Sequence, residues 1–109
     1  MLEKIINKVP HPIYILDEEN RVLHTFPKSN GMIRLAQKTS LIGSILGIPI
    51  SQTIFGEPDK LPKYEKNIYY IVSNLVKTAL PDRTDLLSPS NIVRNEEGAI
   101  IGCLSLDIS

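Results

Sequence analysis

The feature that most constrains this chain is its last stretch, residues 91–109, where two apolar segments flank the polar loop Asn95-Glu96-Glu97-Gly98. Val93 precedes the loop, and Ile100, Ile101, Leu104, Leu106 and Ile108 follow it. These residue types suit a pleated, half-buried surface, so the stretch predicts a β-hairpin. Gly98 supplies the positive φ on which three-to-five-residue hairpin loops commonly end. An isolated hairpin is marginal in water. The rest of the chain must therefore supply more strands and a covering layer. The sequence stops directly after the last predicted strand, as expected of a module cut from a longer protein.

Segments 13–17 and 21–26 enclose Glu18-Glu19-Asn20, a second loop of the same chemistry with asparagine in place of glycine. Ile13 and Ile15 alternate with Tyr14 and Leu16; both faces are apolar, so this sheet should be covered on two sides. Upstream, Leu2, Ile5, Ile6 and Val9 recur at helical spacing among Glu3, Lys4, Asn7 and Lys8. That pattern predicts an amphipathic helix over residues 1–10, stopped by Pro10 and Pro12.

In the middle, Ser29 or Asn30 can cap a helix that buries Met32, Ile33, Leu35 and Ala36. Gly43 and Gly47, four apart in the apolar run 41–50, suit close helix packing. Residues 64–80 carry two signals. Ile68, Ile71, Val72, Leu75, Val76, Ala79 and Leu80 follow a helical stripe, whereas Tyr69, Tyr70, Ile71, Val72, Val76 and Thr78 favour a strand. The need to pair segment 84–95 with an antiparallel neighbour selects a strand over about 69–78. The expected fold class is α+β: an antiparallel sheet of about five strands, helices on one face and an amphipathic helix at the N-terminus. At 109 residues the chain holds a single core, so one domain is expected, with residues 1–10 as the helix and 11–109 as the core.

In this order of elements the chain resembles the PAS sensor-domain superfamily. Residues 5–23, from Ile5-Ile6-Asn7 through Asp17-Glu18-Glu19-Asn20 to Leu23, are similar to that family's N-terminal helix, first strand, acidic turn and second strand. Residues 90–109 are similar to its last hairpin, with Gly98-Ala99-Ile100-Ile101-Gly102 and the terminal Asp107-Ile108. Segment 70–89 looks like the corresponding strands of PAS-like domains in bacterial helix-turn-helix regulators. A competing resemblance is to the GAF sensor domains of bacterial enhancer-binding activators. It rests on Ile42-Gly43-Ser44-Ile45-Leu46, Ile48-Pro49-Ile50, Gly56-Glu57 and Ser88-Pro89-Ser90-Asn91-Ile92-Val93, and there 64–80 is a helix and 49–55 a strand. Both resemblances imply a cytoplasmic ligand-sensing and dimerisation module of a bacterial transcription regulator or signalling protein, its effector domain lying outside this chain. The alternative is an interaction-only dimerisation module with a filled core.

Charge and composition narrow the chemistry. Lys+Arg and Asp+Glu balance at 12 each, which argues against a dedicated nucleic-acid surface. No apolar run reaches the ~18 residues of a membrane span. Cys103 is the single cysteine, so neither an intrachain disulfide nor a thiolate zinc cluster can form. The two histidines, His11 and His24, lie outside the middle segment from which haem-binding PAS domains take their ligand, and Cys103 lies outside the segment used for flavin adducts. Neither cofactor is expected, no metal is assigned, and the cofactor stays open. With no G-x-S-x-G elbow and no P-loop, the chain does not read as an enzyme. A small-molecule ligand would sit between the sheet and its helices, walled by Tyr14 and Phe26 and lined by Ser88, Ser90, Cys103 and Ser105. The expected homodimer would pack through Leu2, Ile5, Ile6 and Val9.

Overall fold

Strand-forming residues govern more of the chain than the sequence pattern suggests. The computed structural model describes residues 3–29 and 31–108. In order, it contains β1 (Lys4–Asn7), β2 (Ile13–Leu16), β3 (Val22–Phe26), β4 (Arg34–Ile45), β5 (Ile48–Asp59), β6 (Ile68–Ile71), α1 (Asn74–Ala79), β7 (Leu86–Arg94) and β8 (Ile100–Ile108). Six strands form one sheet in the order β1-β6-β7-β8-β2-β3, and β4 and β5 form a separate two-stranded sheet.

Both predicted hairpins are present, β2–β3 and β7–β8. The Gly98 N–H donates to the Asn95 carbonyl (3.0 Å), and Gly98 has φ +84°. In the other loop, Asp17 Oδ1 accepts the Glu19 and Arg21 N–H groups, both at 2.9 Å, and Asn20 has φ +63°. The Arg21 N–H holds the Asp17 carboxyl below the usual carboxylate range.

The expected α+β class, with helices laid on one face of an antiparallel sheet, does not hold. The sheet is mixed: β1–β6, β6–β7 and β2–β8 run parallel. The six-residue α1 is the one helix among the described residues. The N-terminal helix is replaced by β1. Ile5 packs with the cluster Val9, Ile13, Ile71, Leu87 and Cys103, while Ile6 packs with the cluster Ile33, Tyr70, Val72, Val76 and Leu86. Successive residues thus serve opposite faces, the period of a strand. A segment too short to hold a helix in water gains more by joining the sheet beside β6.

Residues 64–80 resolve into both signals in succession. β6 uses the β-branched and aromatic run, and α1 follows, capped by Ser73, whose Oγ accepts the Val76 N–H (3.3 Å). The expected strand over 69–78 therefore ends at Ile71, and α1 is the crossover that parallel β6 and β7 require. Arg83 closes it with a two-pronged pair to the buried Asp85 carboxylate, at 2.9 and 2.7 Å.

The helical middle is also overturned. β4 and β5 form a two-stranded arm that leaves the body, and Leu46 (φ +55°) and Gly47 (φ +76°) make its tip. Two successive positive φ values are the two-residue hairpin turn whose twist matches its strands. Ile42, Ile45, Ile48, Ile50, Thr53 and Ile54 are β-branched and favour extended backbone. Pro49 would break a helix but is tolerated in an edge strand. The arm raises the radius of gyration to 16.9 Å, against about 13 Å for a compact chain of this size.

Candidate functional site

Two surfaces stand out, an apolar arm and an apolar cleft. The first is the arm. From Thr39 to Gly56 it carries no charged residue, and Leu41, Ile42, Ile45, Leu46, Ile48, Ile54 and Phe55 are all exposed on it. Leu46, at the outermost turn, is 95% exposed. The polar mid-section is held by backbone pairing and by a hydroxyl contact between Thr39 and Thr53 (2.9 Å). At its root, Ile33 and Leu35 anchor the arm in the body beside α1.

The second surface is a cleft of about 440 Å³ on the far part of the sheet, lined by His11, Pro12, Ile13, Tyr14, Pro89, Ile92, Ile100, Ile101, Gly102 and Cys103. Tyr14, Ile92, Ile100 and Ile101 are exposed there. The floor exists because β2 and β8 approach closely. A Cβ on Gly102 would lie 2.7 Å from Leu16 Cγ and 2.8 Å from the Tyr14 carbonyl oxygen. Cys103 is 1% exposed, with Sγ 3.7 Å from that same oxygen. Burial pushes its thiol pKa up, partly offset by backbone hydrogen bonds.

The residues expected to surround a ligand are only partly gathered. Tyr14 and Cys103 share the cleft. Phe26 lines a separate depression of about 220 Å³ with Ile5, Ile15, His24 and Leu106, its ring stacked on His24 at 6.2 Å. Ser88 is buried opposite Asp107, and Ser90 and Ser105 bond each other across β7–β8 (2.6 Å). The Asn91 side chain also donates to Ser105 (2.8 Å). Ser90 and Ser105 thus satisfy each other within the sheet, and none of the three serines lines either space.

Of the expected dimer contacts, Val9 is buried in its own chain's core and Ile5 and Ile6 are half-buried against it. Leu2 lies outside the described residues. What sequence reasoning missed is the arm tip. The signals were there: Leu46-Gly47 at the centre of a symmetric apolar run, and the proline that follows. It also missed Asn7, whose amide bridges the carbonyls of His11, Phe26 and Pro27 and whose Oδ1 accepts the Val9 N–H.

Among the described residues, no group of three or more His, Cys, Asp or Glu side chains is placed to hold a metal ion, and no helix is long and apolar enough to cross a membrane. Compared with protein-family models, curated proteins and solved structures, the chain matches none. The resemblances to PAS and GAF domains thus gain no support from relatives, and the architecture both imply is not the one found.

Proposed function

We propose that this chain is a self-association module whose working part is the arm Arg34–Asp59. The observation that carries the reading is Leu46: a bulky residue in the left-handed region, 95% exposed, at the tip of a ribbon that is uncharged from Thr39 to Gly56. A leucine there is unfavourable for the turn and adds nothing to its own chain's core. Backbone strain of that kind concentrates where a function needs it. Covering Leu41, Ile42, Ile45, Leu46 and Ile48 in a partner would supply on the order of 7 kcal/mol. Two arms exchanged about a two-fold axis would double that, against an association cost of ~4–15 kcal/mol. The chain is read as acting by what it binds, with no catalytic step assigned.

The test is molar mass by light scattering and sedimentation equilibrium from about 1 to 100 μM. The chain is expected to be a dimer over the upper part of that range. Leu46→Asn places Asn-Gly, the favoured pair for this turn, at the tip, so it removes the apolar contact without harming the hairpin. It should shift the mass toward the monomer. A wild-type chain that stays monomeric at 100 μM overturns the proposal.

One observation favours a ligand-sensing reading: Tyr14 and Cys103, both expected to surround a small molecule, do meet in one apolar cleft. Saturable binding of an apolar metabolite there, abolished by Tyr14→Ala, would support it.

A further inference from the structure

We infer that the arm tip of one copy seats in the cleft beside Tyr14 on a second copy, and that the exchange is reciprocal. This rests on the self-association reading and names the surface it uses. The argument starts from charge. The arm is uncharged from Thr39 to Gly56, and the cleft is lined by no aspartate, glutamate, lysine or arginine. Neither surface would strand a charge on being covered.

Size agrees as well. A cavity of ~150 Å³ lined by aliphatic side chains takes one benzene-sized group, so a cleft of about 440 Å³ takes about three. The tip offers three such groups in Ile45, Leu46 and Ile48. Each arm strand has 12 residues, about 40 Å at ~3.4 Å per residue, and the ribbon is two strands or ~10 Å wide. One face of its uncharged part, about eight residues or ~27 Å of each strand, covers roughly 270 Å². When each copy both gives an arm and receives one, about 540 Å² is covered on each partner, ~1,100 Å² in all, the size of a weak, reversible interface. The tip is not seated in its own chain's cleft, since Leu46 is 95% exposed. A reciprocal exchange closes on itself, whereas one-way seating would continue into a filament.

The test is a directed cross-link in full-length chains carrying Cys103→Ser. One chain carries Leu46→Cys and the other Ile100→Cys, and the two are mixed and mildly oxidised. A disulfide-linked heterodimer is expected in the mixture, at least tenfold above the homodimers formed by either chain alone. Independently, Ile100→Asp should weaken dimerisation at least tenfold while leaving the melting of the monomer unchanged. A dimeric mass without the 46–100 link, or with 46–46 links dominating, overturns tip-in-cleft seating and leaves self-association standing. A monomeric mass overturns both. A monomer whose tip instead binds phosphatidylcholine vesicles, with Leu46→Asn releasing it, assigns the arm to lipid and also overturns both. A mass that grows without limit with concentration refutes the reciprocal geometry.

Discussion

Replacing Gly102 with alanine tests the packing of the central sheet at one atom. The added Cβ would meet Leu16 Cγ at 2.7 Å, Leu16 Cδ1 at 2.8 Å and the Tyr14 carbonyl oxygen at 2.8 Å. Leu16 is itself 4% exposed, so its side chain has no open space to move into. The carbonyl belongs to β2 backbone, which can retreat only by loosening the parallel contact through Ile15 and Cys103. Overpacking of this kind costs about 1–3 kcal/mol, and the backbone contact argues for the middle of that range or above. With an unfolding entropy of ~2.1 cal/mol/K per residue, a loss of about 2 kcal/mol lowers the melting temperature by roughly 9 °C. Thermal melts by circular dichroism at one fixed protein concentration measure it, since association would otherwise contribute to apparent stability. Gly56→Ala is the internal control: its nearest atoms are Ala36 Cβ at 3.7 Å and Ala36 O at 3.8 Å, so it should melt within about 2 °C of wild type, a shift below ~0.5 kcal/mol. Equal melting of the two variants would refute the close approach of β2 and β8.

Three further outcomes are expected. Gly98→Val, at φ +84° in a loop of the main sheet, should lower the urea midpoint more than Gly47→Ala at φ +76°, because the arm tip can fray without opening the core. Asp107→Ala should destabilise by about 3 kcal/mol, since it leaves the buried Lys77 ammonium without a carboxylate and with only the residue-107 carbonyl oxygen at 3.5 Å, whereas Lys77→Met should be nearly neutral because Asp107 is 61% exposed and stays solvated; equal losses on urea titration would contradict that asymmetry. Cys103 should react with a thiol reagent at least a hundredfold more slowly in the native chain than in urea. Its raised pKa favours the neutral thiol in the fold, so that contribution to stability is complete below the unfolded thiol pKa of ~8.5 and is lost as pH rises beyond it. Fast native labelling would show the cleft floor open to the thiol.

The two hairpins were legible because their information is local. Asn95 and Asp17 bind the backbone of their own loops, and Gly98 and Asn20 accept positive φ, so neighbouring residues suffice to specify each turn. The N-terminal segment was not legible, because Ile5-Ile6 fits a helical stripe and also a strand buried on both faces. Only β6, more than sixty residues away in sequence, decides between them. Residues 64–80 looked ambiguous because they hold a strand and a helix end to end, and a single-element reading had to discard one signal. Tyr14 and Cys103 were placed together by resemblance and do share a cleft, but the serines are paired across the sheet, a register that their spacing does not reveal. The arm was misread for a different reason. The run 41–50 is apolar enough to demand burial, and burial within one chain suggested a packed helix. The chain instead extends those residues into water, where the ordinary inside-outside rule places a surface meant for something else.

On the proposed self-association, that placement would tie the arm's order to a partner. A two-stranded ribbon is marginal by itself in water, and this one spends Leu46 in a backbone region that leucine disfavours. The free arm should therefore open locally at far lower cost than the main sheet, and a partner that covered it would supply the ordering. Leu46→Asn separates the two effects. It relieves the turn and so stabilises the hairpin, yet it removes the contact the tip would make. Amide exchange in β4 and β5 of the monomeric variant should then be slower than in the monomeric wild-type chain at high dilution, and faster than in the wild-type dimer. If the variant's arm is instead the most mobile of the three, the turn at Leu46-Gly47 is not the strained element, and the case for a leucine retained for a partner loses its physical basis.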